Sequence, residues 1–253
     1  MSFTSRRQLP HNSHMTNPEP DTRAGLRMIR ERIDNAARSV GRNPESIRLI
    51  AVSKYQPAAL IRQAIDAGQA VFGENTVQEA LSRQALLQDP RTEWHFIGHV
   101  QTNKAKHIPG NFAWLHTLDS IKLARKLAAC AEAAESDLNV LLQVNISNDP
   151  DKFGLLPDAV YPFVEEFLEA GLQGVSLRGL MTIGRRTSSD AERFADFSGL
   201  RELGERCAAR FGDAYFGELS MGMSADFETA IRAGSTMVRV GSAIFGPRPE
   251  KTP

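Results

Sequence analysis

From about residue 22 onward, amphipathic stretches alternate with short, nearly continuous apolar runs. Leu26, Ile29, Ile33, Ala36, Ala37 and Val40 recur at the spacing of one helix face, and Gly41 stops the pattern. Strands are predicted at 47–54, 70–74, 93–98, 113–118, 139–146, 177–183, 215–221 and 237–245, with a helical pattern between most neighbours. Runs such as Val140-Leu141-Leu142-Gln143-Val144 and Met237-Val238-Arg239-Val240 do not alternate apolar with polar. Strands of that kind are covered on both faces, as in a parallel sheet. Helical stretches ending at Ala67-Gly68, Ala170-Gly171 and Ala233-Gly234 carry the residue that a left-handed helix stop requires, each feeding the next strand.

Eight such βα units predict a closed (β/α)8 barrel, because parallel strands need helical crossovers and closure removes both exposed edges. A doubly wound open sheet is the runner-up. No GxGxxG follows the first strand and no Walker sequence is present, so the nucleotide-binding versions of that fold lose support. A chain of 253 residues, 42% hydrophobic, buries enough surface for one such domain. The expected organisation is a disordered tail over residues 1–20 and a single barrel domain over 21–253. Within the tail, Ser13-His14-Met15 reads either as a cloning remnant or, at Met15, as an alternative start.

Thirty basic residues against thirty acidic ones leave no electrostatic footprint for nucleic acid or an anionic membrane, so a small molecule is the expected partner. The two cysteines, Cys130 and Cys207, show neither CxxC spacing nor a secreted-type framework. No apolar run reaches membrane-spanning length, and the first twenty residues hold Arg6, Arg7 and three prolines but no hydrophobic signal core. A cytoplasmic location is expected. His95, His99, His107 and His116 lack the HExxH register and the cysteine partners of a zinc site, so no metal is expected.

Candidate chemistry begins at Lys54, which closes the apolar run Leu49-Ile50-Ala51-Val52-Ser53. In a barrel, function sits at the C-terminal ends of the strands. A lysine held there can be desolvated, lose its proton and act as an amine nucleophile or Schiff-base partner. The bland alternative is a lysine snorkelling from a strand end into water. A second constellation lies near the C-terminus, Leu219 through Asp226 and Val238-Arg239-Val240-Gly241-Ser242. Ser224 is placed as an N-cap with Asp226 in the first helical turn, so free amides would face the barrel mouth, and Gly241 would let backbone approach a ligand. That is a phosphate cradle in the loops after strands seven and eight, where barrels commonly bind phosphate; a routine capped helix and a packing glycine are the alternative. An amine and a phosphate cradle together match a small phosphorylated aldehyde, of which pyridoxal phosphate (PLP) is one. A Schiff-base aldolase acting on a phosphosugar needs the same two parts, although strand six, Leu177-Arg178-Gly179-Leu180-Met181-Thr182, offers no lysine.

The runs Ala51-Val52-Ser53-Lys54, Phe72-Gly73-Glu74-Asn75, Trp94 through Lys104 and Ser220 through Gly246 resemble the pyridoxal phosphate homeostasis protein family. The likeness spans roughly residues 22–246 in motif order and spacing. It implies a fold like the N-terminal barrel of alanine racemase, with PLP as an internal aldimine on Lys54. Ser224, Gly241 and Ser242 would hold the phosphate, Arg239 would face the pyridine nitrogen, and Asn75 would contact the ring or support Lys54. His99, after strand three, would line the same mouth; a purely structural role is the alternative for both Asn75 and His99. A guanidinium stays protonated, so the ring nitrogen must accept a hydrogen bond, which weakens the ring as an electron sink. The resemblance therefore implies a non-catalytic protein that buffers or delivers PLP, in transient contact with apo PLP enzymes. A PLP-dependent racemase or decarboxylase of weak activity is the alternative. The chain ends eight residues after Phe245, without the racemase's second domain and its tyrosine base; of Tyr55, Tyr161 and Tyr215, none is expected opposite the lysine, and a monomer is expected. Lys152, in the loop after strand five, could pass on the aldehyde or simply pair with Asp149 or Asp151. Thr76 and Asp151 depart from the family's usual tyrosine and serine, which leaves the contacts of those two loops open.

Overall fold

In the computed structural model of the chain, residues 21–185 and 189–247 are described; the expected tail lies outside them. The apolar runs form β1 (Arg48–Val52), β2 (Val71–Glu74), β3 (Glu93–Phe96), β4 (Trp114–Leu118), β5 (Leu138–Gln143), β6 (Val175–Met181), β7 (Glu218–Met223) and β8 (Met237–Val240). They close into one parallel barrel in chain order, with Arg48 to Ala51 of β1 registered against Met237 to Val240 of β8.

Helices α1 (Thr22–Arg38), α2 (Ala58–Asp66), α3 (Val77–Leu87), α4 (Ile121–Ala133), α5 (Val160–Glu169), α6 (Asp190–Phe211), α7 (Phe227–Arg232) and α8 (Ser242–Phe245) flank the strands. The carboxylate of Asp21 accepts from the amides of Arg23 and Ala24, which starts α1 at the residue where the apolar period begins. Leu26, Ile29, Ile33, Ala36 and Ala37 then form its buried face, and α1 packs on α7 and α8. Gly68, Gly171 and Gly234 take positive φ, as the Ala-Gly stops require.

Two apolar cores result. The larger lies between barrel and helices, while a smaller one of Ile50, Trp114, Leu141, Met181 and Met237 fills the barrel interior. His95 and His116 are fully buried beside it, with His95 stacked on Trp114 at 5.5 Å between ring centroids. Polar side chains inside a barrel are costly unless hydrogen-bonded, and these are bonded to each other.

Several strand boundaries differ from expectation, and three of the differences bear on the site. The first strand ends at Val52, so Lys54 lies in the turn beyond it. The stretch expected as a strand from 215 begins in a 3-10 turn, Asp213–Tyr215, and β7 starts only at Glu218. Gly241 breaks the eighth run at φ −120° and ψ −79°, so its second half is α8. Unbroken apolar content does not separate a short buried strand from a short buried helix. Cys130 and Cys207 are free thiols, and burial pushes the Cys207 thiol up to about 11. Among the described residues, no helix is long and apolar enough to cross a membrane.

Candidate functional site

Lys54 is positioned by its backbone. The amide of Ser53 donates to the carbonyl of Gly73 at 3.1 Å, and the amide of Gln56 donates back to the carbonyl of Ser53 at 3.0 Å. Lys54 and Tyr55 are thus the two central residues of a tight turn, and Tyr55 holds φ +64°. A non-glycine residue in that region costs of order 1 kcal/mol and persists only where its surroundings impose it. Those surroundings are Glu74 and Arg83. The Ser53 hydroxyl donates to Glu74 Oε1 at 2.6 Å, Arg83 Nη1 donates to Glu74 Oε2 at 2.8 Å, and Arg83 Nε donates to the carbonyl of Gln56 at 3.2 Å. Burial pushes the Glu74 carboxyl above its ordinary range, opposed by the hydrogen bond from Ser53 and the charge of Arg83. Both sides of the lysine turn are therefore tied to one buried ion pair.

The half-buried Lys54 opens onto a cavity of about 250 Å³ at the C-terminal end of the barrel. Asn75, Ser224, Arg239, Gly241 and Ser242 line it as well, so all six residues expected at the site converge. Val52, Ile97, Met181, Ile183 and Met223 supply an apolar wall. Asn75 Oδ1 is buried without a hydrogen-bond partner, an acceptor that a ligand can satisfy.

The loops after β7 and β8 meet where Gly241 N–H donates to Ser224 Oγ at 3.3 Å. Ser224 is not the helix cap expected for it. Asp226 occupies that position, its carboxylate accepting the Met223 amide at 2.6 Å, and α7 starts at Phe227. The turn over Ser224 to Asp226 delays the helix start to Phe227, and Asp226 makes no side-chain cap bond because its carboxylate holds the Met223 amide. The helix that opens at the cavity is α8, with Gly241 before it and Ser242 as its first residue. First-turn amides have no intrahelical acceptor and attract anions.

Arg239 enters from β8 and is almost wholly buried. Its Nη1 donates to Ser220 Oγ at 2.6 Å and its Nη2 to the carbonyl of Thr182 at 2.9 Å. Burial brings its pKa down to about 10, which leaves it a cation at neutral pH.

Other candidates fall outside the cavity. His99 is exposed above the rim, stacked on Phe153 at 4.3 Å and 3.7 Å from Asp119, and does not line it. Lys152 Nζ donates to the carbonyl of Gly184 at 3.1 Å and lies 3.6 Å from Asp149, pinning its loop to the end of β6. It lines an adjoining cavity that shares Ile183 and Met223 with the first. Tyr161 packs on Phe211 among the outer helices, and Tyr215 precedes β7. Tyr55, by contrast, sits beside Lys54 at the rim. Among the described residues, no three His, Cys, Asp or Glu side chains are grouped to hold a metal. Sequence reasoning missed Glu74 and Arg83 as supports of Lys54, although a glutamate inside an apolar strand run was a visible anomaly.

Fold and cavity together define a class of protein: residues 25–249 match the family of the alanine racemase N-terminal domain. The alanine racemase of Clostridium difficile superposes with a TM-score of 0.65 at 13% identity, covering 94% of this chain and 61% of that one, a likeness of fold. More specific is a pyridoxal phosphate homeostasis protein of Pseudomonas aeruginosa, 43% identical over 222 residues, 87% of this chain and 93% of the relative. PipY of Synechococcus elongatus, solved without and with PLP, is 40% identical, with TM-scores of 0.78 and 0.76 over 86% of this chain and all of that one. The chain belongs to the pyridoxal phosphate homeostasis protein family.

Proposed function

We propose that this protein binds PLP reversibly, through its aldehyde on Lys54 Nζ, and buffers or delivers it. The observation that carries this reading is the convergence of an amine, a buried guanidinium and a helix-opening loop on one cavity. Each has a counterpart on the cofactor. The Ser242 amide and the Ser224 and Ser242 hydroxyls, gathered by the Gly241 N–H bond to Ser224, suit the phosphate, Arg239 the ring nitrogen, and the orphan Asn75 Oδ1 a donor near the ring. Bound PLP supplies an electron sink for amino-acid carbanions. These residues restrain that chemistry. Arg239 carries only donors and remains charged, so it favours an unprotonated ring nitrogen.

Tyr161 and Tyr215 lie away from the cavity, and the exposed Tyr55 adjoins Lys54 in the same turn. Two-base racemisation needs a second base across from the lysine. The reading therefore favours storage and transfer over turnover, by a single barrel domain over residues 21–253 acting as a cytoplasmic monomer in transient contact with apo PLP enzymes. The test mixes PLP-loaded protein with an apo PLP enzyme and, separately, with amino acids. Recovery of the recipient's activity, with amino acids causing at most a stoichiometric colour change, supports a carrier. Sustained product formation that Lys54→Ala abolishes would replace it with an enzyme.

A further inference from the structure

Behind Arg239 a file of buried polar side chains crosses the barrel interior, and the PLP site makes no direct use of it. Arg239 Nη1 is 2.6 Å from Ser220 Oγ on β7. Ser220 Oγ is 2.8 Å from His116 Nδ1 on β4. His116 Nε2 is 2.8 Å from His95 Nδ1 on β3, and His95 Nε2 is 2.7 Å from Glu93 Oε1 at the first residue of that strand. Ser220, His116 and His95 are completely buried, whereas the Glu93 side chain is 42% exposed at the opposite end of the barrel.

Two fixed ends dictate the direction of every bond. A guanidinium only donates and a carboxylate only accepts. The charges facing the file are Arg48, 3.9 Å from Glu93 and stacked over Trp114, then Glu93 and Arg239, with Asp226 acting on Arg239 from a distance. Between those two arginines a buried imidazolium is costly, so both rings are neutral. Since Glu93 accepts from His95 Nε2–H, His95 Nδ1 must accept from His116 Nε2–H. His116 Nδ1 in turn accepts the hydroxyl proton of Ser220, which leaves Ser220 Oγ to accept from Arg239. The Arg239 end is compatible with that order, because a hydroxyl that accepts from the guanidinium still has its proton to give to His116. A second proton on either ring would reverse the bonds above it as far as Ser220, which would then accept from both His116 and Arg239 and turn its own proton out of the file.

We propose that Ser220, His116, His95 and Glu93 are positioning residues for Arg239, forming a one-way hydrogen-bond column that fixes the guanidinium at the cavity and passes no proton up to it. A carboxylate on the lower rim thereby sets the geometry facing a ligand at the upper rim. The functional meaning rests on the PLP reading, since the column would hold the ring nitrogen as an acceptor; its proton order is a property of the protein alone.

The experiment uses the full chain labelled with ¹⁵N in histidine and arginine, first without PLP. At neutral pH, His95 and His116 are expected as Nε2–H tautomers, with sharp Arg239 guanidinium proton signals. Glu93→Ala should mix the tautomers, and both it and Ser220→Ala should broaden the Arg239 signals while the fold persists. With PLP added, Ser220→Ala should bind about tenfold more weakly, the loss expected for one hydrogen bond to a charged group. Glu93→Ala should shift the affinity in the same direction although Glu93 does not line the cavity. An Nδ1–H tautomer or an imidazolium at either position in the wild type would overturn the column, as would wild-type signals in Glu93→Ala. A wild type that takes up no PLP overturns the cofactor reading on which the role rests. A wild type that binds PLP with affinity unchanged in both variants overturns the positioning role alone.

Discussion

Lys54 lies between two anchors that meet at one ion pair, Ser53 on Glu74 and Gln56 on Arg83. Glu74 is completely buried and the Arg83 side chain only 12% exposed, so removing the arginine strands a carboxylate in the protein interior. Arg83→Met is expected to destabilise the fold by about 3–5 kcal/mol, the usual result of breaking a buried pair from one side. Denaturant unfolding checks this, and combining it with Glu74→Gln should cost less than the two separate losses summed. At the other side of the cavity, Ser224→Ala removes the acceptor of the Gly241 amide. Its stability cost is about 1 kcal/mol. A calorimetric titration with PLP should show several-fold weaker binding, because the loop that faces the phosphate loses its tie between β7 and β8.

At the scale of elements, Gly98 fixes how closely the ends of β2 and β3 approach. A Cβ there would lie 2.2 Å from the carbonyl oxygen of Asn75, a backbone atom that cannot swing aside. Gly98→Ala should therefore cost about 1–3 kcal/mol and move Asn75 relative to the cavity, which thermal unfolding and a PLP titration read separately. The strands were legible in the chain because parallel strands buried on both faces leave unbroken apolar runs, as Val140 to Val144 do. Their ends were legible only where a helix stop such as Gly68 marked them. In the eighth run, Ala243, Ile244 and Phe245 are as apolar as a strand, and α8 emerged only from the backbone at Gly241. All six expected cavity residues converge because each sits in or just past a strand end, which order in the chain reveals. The Glu74–Arg83 clamp and the Ser220–His116 contact join residues 9 and 104 apart, and no local spacing encodes such pairings. Thr76 occupies the N-cap position of α3 without a side-chain cap bond, and Asp151 is exposed.

At the scale of the molecule, burial of His95 and His116 couples stability to pH. Both rings have their pKa lowered by desolvation, so around and below pH 6.5 the unfolded chain binds protons that the folded one refuses. Their contribution is full above that pH and is lost as pH falls toward the depressed folded values. Glu74 and Asp119, whose carboxyls burial raises, act in the opposite sense. The clean comparison is therefore with a variant that keeps both carboxyls. His116→Phe is expected to lose less stability than wild type between pH 7 and pH 5 in denaturant titrations. Equal losses would show that the histidines already ionise in the folded barrel. The most direct test of the whole account is the visible spectrum of the protein loaded with PLP, followed by borohydride reduction and peptide mapping. A yellow protein whose label is fixed on Lys54 alone is the predicted result. A protein left colourless and unlabelled, or labelled at scattered surface lysines, would contradict the account and return Lys54 to the role of a lysine at the barrel rim.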